Sequence, residues 1–195
     1  MVYGGGSWLD ARPENDGKRW LSPFSDTSVE YIGKITEELS EAGFKHIICT
    51  NTMYPYFHKV DLSDYLRNLP LSDSAKRTEA LWSVVDSAKT GAEKNGAKLW
   101  LEFSGANLIS SKKSGTDAEI ALDTKKLLTV GIIADYATPD ASDAYGSALK
   151  FAQNLKTAAS GAELSVMIKS GLSGAALTDT QKAFEEEGLT IYTET

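Results

Sequence analysis

The chain is poor in the residues that build disulfide frameworks and metal sites. One cysteine, Cys49, stands in 195 residues, which excludes an intrachain disulfide and a thiolate-rich zinc site. Histidine occurs only as His46 and His58, so a cysteine nucleophile would be short of bases. Lysine and arginine total 20 against 27 acidic residues, and the net charge of −7 argues against a nucleic-acid groove or an anionic membrane surface. No apolar run approaches the ~20 residues that span a bilayer. No signal peptide is visible where Met1-Val2-Tyr3 runs into Gly4-Gly5-Gly6, a start expected equally of a cytoplasmic protein and of a piece cut from a longer one. Metal, redox and acyl-transfer motifs are missing too: HExxH, CxxC and GxSxG do not occur. Neither a cofactor nor a metal is expected.

What remains is an ordinary globular composition, 42% hydrophobic and 24% charged, enough for one α/β domain with a sizeable core over residues 1–195. A unit recurs along it: amphipathic helix, glycine, short apolar strand, polar turn. The first helix is predicted from Thr27, with Glu30 completing a capping box. Val29, Ile32, Ile35, Leu39 and Ala42 give it an apolar stripe, and Gly43 ends it. The strand Phe44 to Thr50 follows. Leu81, Val84, Val85, Ala88 and Ala92 stripe a second helix, Gly96 ends it, and "KLWLEF" (Lys98 to Phe103) is its strand. A short helix over 122–128 precedes "GIIADYA" (Gly131 to Ala137). Tyr145, Leu149, Ala152, Leu155 and Ala159 mark the next helix, stopped by Gly161 before "ELSVMIK" (Glu163 to Lys169). Thr178 and Gln181 read as a last capping box, with Gly188 before "LTIYTE". "SWLDA" (Ser7 to Ala11) adds a strand before the first helix.

About six strands alternating with five helices predict a parallel sheet built from βαβ units. Six are too few for a complete eight-stranded barrel. The fold is therefore partial or TIM-barrel-like, with an open doubly wound sheet as the alternative. Residues 57–74 and 106–116 read as the long loops.

In either fold the chemistry lies beyond the C-terminal ends of the strands. Strand side chains alternate, so one file of each strand points to the interior. Leu99, Leu101 and Phe103 suit the helix side. Trp100 with Glu102, Ile133 with Asp135, and Met167 with Lys169 then point inward. Each file turns from apolar to ionisable as its strand surfaces, and Asp10 and Arg12 follow Trp8 in the same way. Two carboxylates flanked by a lysine and aromatic rings suit acid/base work on a sugar. The plainer reading is ordinary strand-end polarity, with Lys169 paired to Asp135. "KSGLSGAAL" (Lys169 to Leu177) offers backbone amides to a phosphate but lacks the Gly-Lys-Ser/Thr ending of a Walker loop. Cys49 reads as a small core residue, since His46 lies on the opposite face of its strand.

"GKRWLSPFSDTSVEYIGKITEELSEAGFKHIICTNTMYP" (Gly17 to Pro55) resembles a family of bacterial glycoside hydrolases with a (β/α)8 barrel. That family has a tryptophan, then Asp-Pro-Tyr-Ser, a helix ending in Gly-Phe, and a strand ending Phe-Asp-Tyr-Val-Arg-Phe-Pro. Here Trp20 to Ser25, Gly43-Phe44 and Cys49 to Pro55 sit on those motifs, and Leu101 to Gly105 sits on a following Ala-Asp-Val-Phe-Gly. The resemblance implies the second half of the barrel only. Its open strand edges then need a cover: a long loop, a second copy of the chain or further polypeptide. It also implies an exported or cell-surface setting. The motif acids fall on Ser22 and Thr50 and the motif arginine on Met53; only the third acidic position persists, as Glu102.

The resemblance implies a glycoside-hydrolase-like, carbohydrate-active domain with part of its family's site replaced. Glu102 is expected as acid/base and Asp135 as the second carboxylate. Trp8, Trp100 and Tyr54 would stack on sugar rings, with Asp10, Arg12, Asn51 and Lys169 completing the substrate site. The alternative is a non-catalytic domain that binds a glycan or a protein.

Overall fold

A computed structural model of the chain describes residues 2–3, 6–9, 19–52, 54, 69–70, 73–110, 124–137, 141–169 and 171–193. Most of the loop expected at 57–74 lies outside these residues, as do Asp10, Arg12, Met53 and His58.

Three short strands come first, β1 (Val2–Tyr3), β2 (Gly6–Leu9) and β3 (Arg19–Trp20). They pair antiparallel in the order β1-β2-β3, with Trp8 opposite Trp20. The strand expected at Ser7 to Ala11 thus exists as β2, but outside the main sheet. Helix α1 (Asp26–Glu41) leads to β4 (His46–Cys49), and α2 (Ser74–Glu93) to β5 (Lys98–Ser104). Two short helices, α3 (Gly105–Ile109) and α4 (Thr124–Leu127), precede β6 (Gly131–Tyr136). Then come α5 (Ala144–Ala158), β7 (Glu163–Ile168), α6 (Gly174–Glu186) and β8 (Thr190–Thr193).

The main sheet has five parallel strands in the order β4-β5-β6-β7-β8. Spatial order equals chain order, so each helix returns the chain to the next position, as in a (β/α) barrel. A doubly wound sheet reverses its order at a switch point, and this one does not. The fold is a partial TIM-barrel-like α/β fold. Among the described residues no helix is long and apolar enough to cross a membrane.

The glycine stops act as expected: Gly43 and Gly96 hold φ of 96° and 75°, the left-handed geometry that closes a helix before its strand. The helix starts differ from expectation. α1 begins at Asp26 behind Ser25, whose carbonyl accepts from the Ser28 and Val29 amides, with no side-chain cap. α6 begins at Gly174, and Thr178 lies inside it, its hydroxyl donating back to the Gly174 carbonyl at 3.3 Å. That back-bond uses the hydroxyl that would have capped. Asp73 and Asp143 do cap, accepting from the Lys76 and Gly146 amides at 3.2 and 3.0 Å.

The chain divides into two compact units, residues 1–47 with 52–99, and residues 48–51 with 100–195. In the first, α1 packs on α2 through small residues. A Cβ on Gly91 would stand 2.1 Å from the Gly33 carbonyl oxygen, and one on Gly33 would stand 2.4 Å from Ser87 Oγ. The fully buried face of α1 is Ser28, Gly33, Thr36 and Ser40; the expected stripe of Val29, Ile32, Ile35 and Leu39 is only half-buried. Helices this close leave room only for small side chains at the crossing. The hydroxyls bond across it, Ser87 Oγ to the Val29 carbonyl at 2.9 Å and Ser40 Oγ to the Gly91 carbonyl at 3.2 Å. On α2 the expected residues Leu81, Val85, Ala88 and Ala92 are buried, with Trp82 beside them.

In the second unit, Leu101, Phe103, Ile132, Ala134, Tyr136, Val166 and Ile168 form the buried apolar file. Rings from α5 and α6 close on it edge-on: Tyr136 lies 4.8 Å from Phe151 and 5.0 Å from Phe184, centroid to centroid.

Candidate functional site

Register decides what the other file presents. Glu102 stands beside Ile133, and Ile133 beside Ser165; one step up, Ser104 stands beside Asp135, and Asp135 beside Met167. The amide of Lys169 donates to the Tyr136 carbonyl at 3.1 Å, extending the β6–β7 ladder past Ile168. Lys169 therefore leaves the strand end on the face of Met167 and Asp135.

Its ammonium reaches both acids. Lys169 Nζ lies 2.6 Å from Glu102 Oε1 and 3.3 Å from Asp135 Oδ1, and all three side chains are partly buried. The two facing oxygens can be no farther apart than those contacts laid end to end. That bound is short of the ~6.5–9.5 Å of inverting glycosidase pairs, and a hydrogen bond between the two carboxyls is among the causes that raise Asp135. Burial raises the Asp135 carboxyl, and the Glu102 charge raises it further; Lys169 pulls it down, and the net value is about 6 against an ordinary 3.8. For Lys169, burial works to lower the ammonium, but the hydrogen bond to Glu102 and the Asp135 charge outweigh it and the net shift is upward. A carboxyl that exchanges its proton near pH 6, beside a second carboxyl, is equipped for general acid/base work.

The other expected residues are placed differently. Trp100 is 4% exposed, and its indole fills the space over Gly131, where a Cβ would meet Trp100 Cε3 at 2.3 Å. Tyr54, in the first unit, is 1% exposed, with its hydroxyl on the Arg77 carbonyl at 3.1 Å and its ring 6.0 Å from Phe24. Both rings are covered by neighbours. Asn51 is exposed after β4 with a φ of 53°, a left-handed turn that asparagine tolerates well. Of the first-unit set, Trp8 is placed by its backbone on β2, and Asp10 and Arg12 lie outside the described residues. At the positions of the two motif acids, Ser22 is buried and Thr50 is exposed. Burial pushes the Cys49 thiol up to about 11, so it stays protonated at neutral pH.

Sequence reasoning missed a cavity of about 580 Å³ beyond the strand ends in the second unit. Ser104, Asp135 and Lys169 line it from the sheet, and Ser147, Lys150, Phe151 and Asn154 line it from α5. These α5 residues follow helical spacing, but nothing in that spacing marks a helix face as a cavity wall.

Solved structures that share this fold include two with sugar-related names. The glycoside hydrolase domain of PgaB (BpsB) from Bordetella bronchiseptica matches with a TM-score of 0.60 at 12% identity, over 99% of this chain and 65% of that one. The 3-keto-D-glucoside 4-epimerase YcjR from E. coli matches with a TM-score of 0.53 at 16% identity, over 90% of this chain and 67% of that one. The chain thus spans just under two thirds of the hydrolase domain's length. No family model and no curated protein matches the sequence. At these identities the likeness is one of fold, and the chain has a glycoside-hydrolase-like fold.

Proposed function

We propose that this glycoside-hydrolase-like chain acts on carbohydrate, with Asp135 as the proton donor and Glu102 as the second carboxylate. The observation that carries this reading is the Glu102–Lys169–Asp135 cluster at the ends of β5, β6 and β7. Barrel enzymes place their chemistry at those strand ends. The roles are assigned in the opposite sense to that expected from sequence, because Asp135 is the carboxyl held up at about 6. A carboxyl in that state protonates a glycosidic oxygen as its bond breaks. Glu102, next to the developing positive charge on the sugar carbon, stabilises it or bonds to it. The pair is too close to hold the attacking water of an inverting mechanism between its carboxyls. Lys169 keeps the two acids together and limits their mutual repulsion.

A second reading is glycan binding without turnover. The same ammonium that joins the acids offsets their charge, and the resembled family's acids stand here as Ser22 and Thr50. One experiment separates the readings: aryl-glycoside hydrolysis and calorimetric titration over the same set of sugars. Turnover that falls at least about a hundredfold in Asp135→Asn supports the first reading. Binding with no turnover supports the second. Silence in both assays removes both.

A further inference from the structure

The cavity has a helix wall that acid/base chemistry leaves unused. Its volume of about 580 Å³ is that of a small-molecule site. α3 can begin against β6 because Gly105 has no side chain: a Cβ there would stand 2.5 Å from the Asp135 carbonyl oxygen and 2.3 Å from Phe151 Cζ. Ala106 and Ile109 of α3 then face the cavity with an apolar surface. On α5, Ser147, Lys150, Phe151 and Asn154 recur at three- and four-residue steps, so one helix face presents a hydroxyl, an ammonium, a ring and an amide.

The charges in this lining are uneven. Two lysines and one aspartate line the cavity of a chain whose net charge is −7. Lys169 is engaged by Glu102 and Asp135. Lys150 is exposed, and among the described residues no carboxylate pairs with it. An amino sugar would bring a third cation here. A neutral sugar would leave the Lys150 ammonium unanswered.

We propose that the α5 wall selects an acidic sugar. Lys150 pairs with the carboxylate of a uronate, Asn154 and Ser147 bond its hydroxyls, and Phe151 and Ile109 meet the apolar face of its ring. The ring is thereby held over Asp135. This rests on the reading of the strand-end cluster as a sugar site and gives that site its substrate class.

The test titrates the full chain with glucuronate, galacturonate, glucose and glucosamine, following amide shifts by NMR and heats by calorimetry. The uronates should bind at least about tenfold more tightly than glucose, shift the Ser147, Lys150 and Asn154 amides, and weaken as salt is raised. Lys150→Glu should lose that tenfold for uronates and leave glucose unchanged. Lys150 is exposed, so this variant should keep its circular dichroism spectrum, and Lys150→Gln gives the charge-neutral version. Equal affinity for glucose and the uronates, or an unchanged uronate affinity in both variants, overturns the acidic-sugar inference and leaves the sugar-site reading standing. No binding of any of the four sugars removes both.

Discussion

Lys169 Nζ lies 2.6 Å from Glu102 Oε1 although their strands are not neighbours: β6 runs between β7 and β5. The ion pair therefore crosses a strand, and the residue it crosses is Asp135, 3.3 Å from the same nitrogen. A lysine can make that span because it leaves one step beyond its strand while the two acids sit below.

Removing the cation should leave two facing acids. In Lys169→Met the pull that lowers Asp135 is gone and the push from Glu102 remains, so Asp135 should titrate above its present value of about 6. At pH 7 the variant should lose about 1–3 kcal/mol in urea unfolding, since an uncompensated, partly buried charge is left behind. Glu102→Gln added to it should recover part of the loss. An unmoved Asp135 carbon resonance across the titration would show that the three groups do not interact.

Asp135 should also make stability depend on pH in a defined direction. Its folded carboxyl titrates at about 6 against an ordinary 3.8, so between those values the folded chain keeps a proton that the unfolded chain has released. The stability contributed by this group is complete below the lower value and is lost as pH climbs through the upper one. Asp135→Asn should flatten the decline between about pH 4 and pH 6. The measurement is the urea midpoint at several pH values; an identical decline in the variant assigns it to another group.

Gly131 and Trp100 should behave as a coupled pair. Gly131→Ala would put a methyl 2.3 Å from Trp100 Cε3, which should cost about 1–3 kcal/mol of overpacking. In a Trp100→Leu background the same change should cost much less. A double-mutant cycle with no coupling energy would refute this account of the packing.

Thr180 offers a change in the other direction. Its side chain is fully buried, and its hydroxyl has no hydrogen-bond partner among the described residues. Thr180→Val keeps the shape and removes the unsatisfied group, so stability should hold or rise by about 1 kcal/mol. A clear loss in thermal unfolding would reveal a buried water bonded there.

The parallel strands were legible because each of the four long helices ends in a glycine followed by an apolar run, and Gly43 and Gly96 do turn the chain there. The cluster was legible for a simpler reason: alternation puts Glu102, Asp135 and Lys169 on one face once the strands are parallel. What escaped was long-range. Nothing near Trp100 in sequence says that Gly131 leaves room for its indole, and nothing near Tyr54 names the Arg77 carbonyl. Hydropathy also ranks the wrong face of α1, because Val29 and Ile32 look more buriable than Gly33 and Thr36. Only the approach of α2 makes small size more useful there than apolar area. The α5 wall escaped for the converse reason, since Lys150 and Asn154 are polar residues on an exposed helix.

At the α1–α2 crossing there is not a methyl's width between Gly33 and Gly91. Neither helix can loosen by sliding a side chain aside, since backbone already meets backbone. The pair must separate all at once or not at all. In deuterium exchange, the amides on the facing turns around Thr36 and Gly91 should then lose protection together, at a single opening free energy, as one foldon.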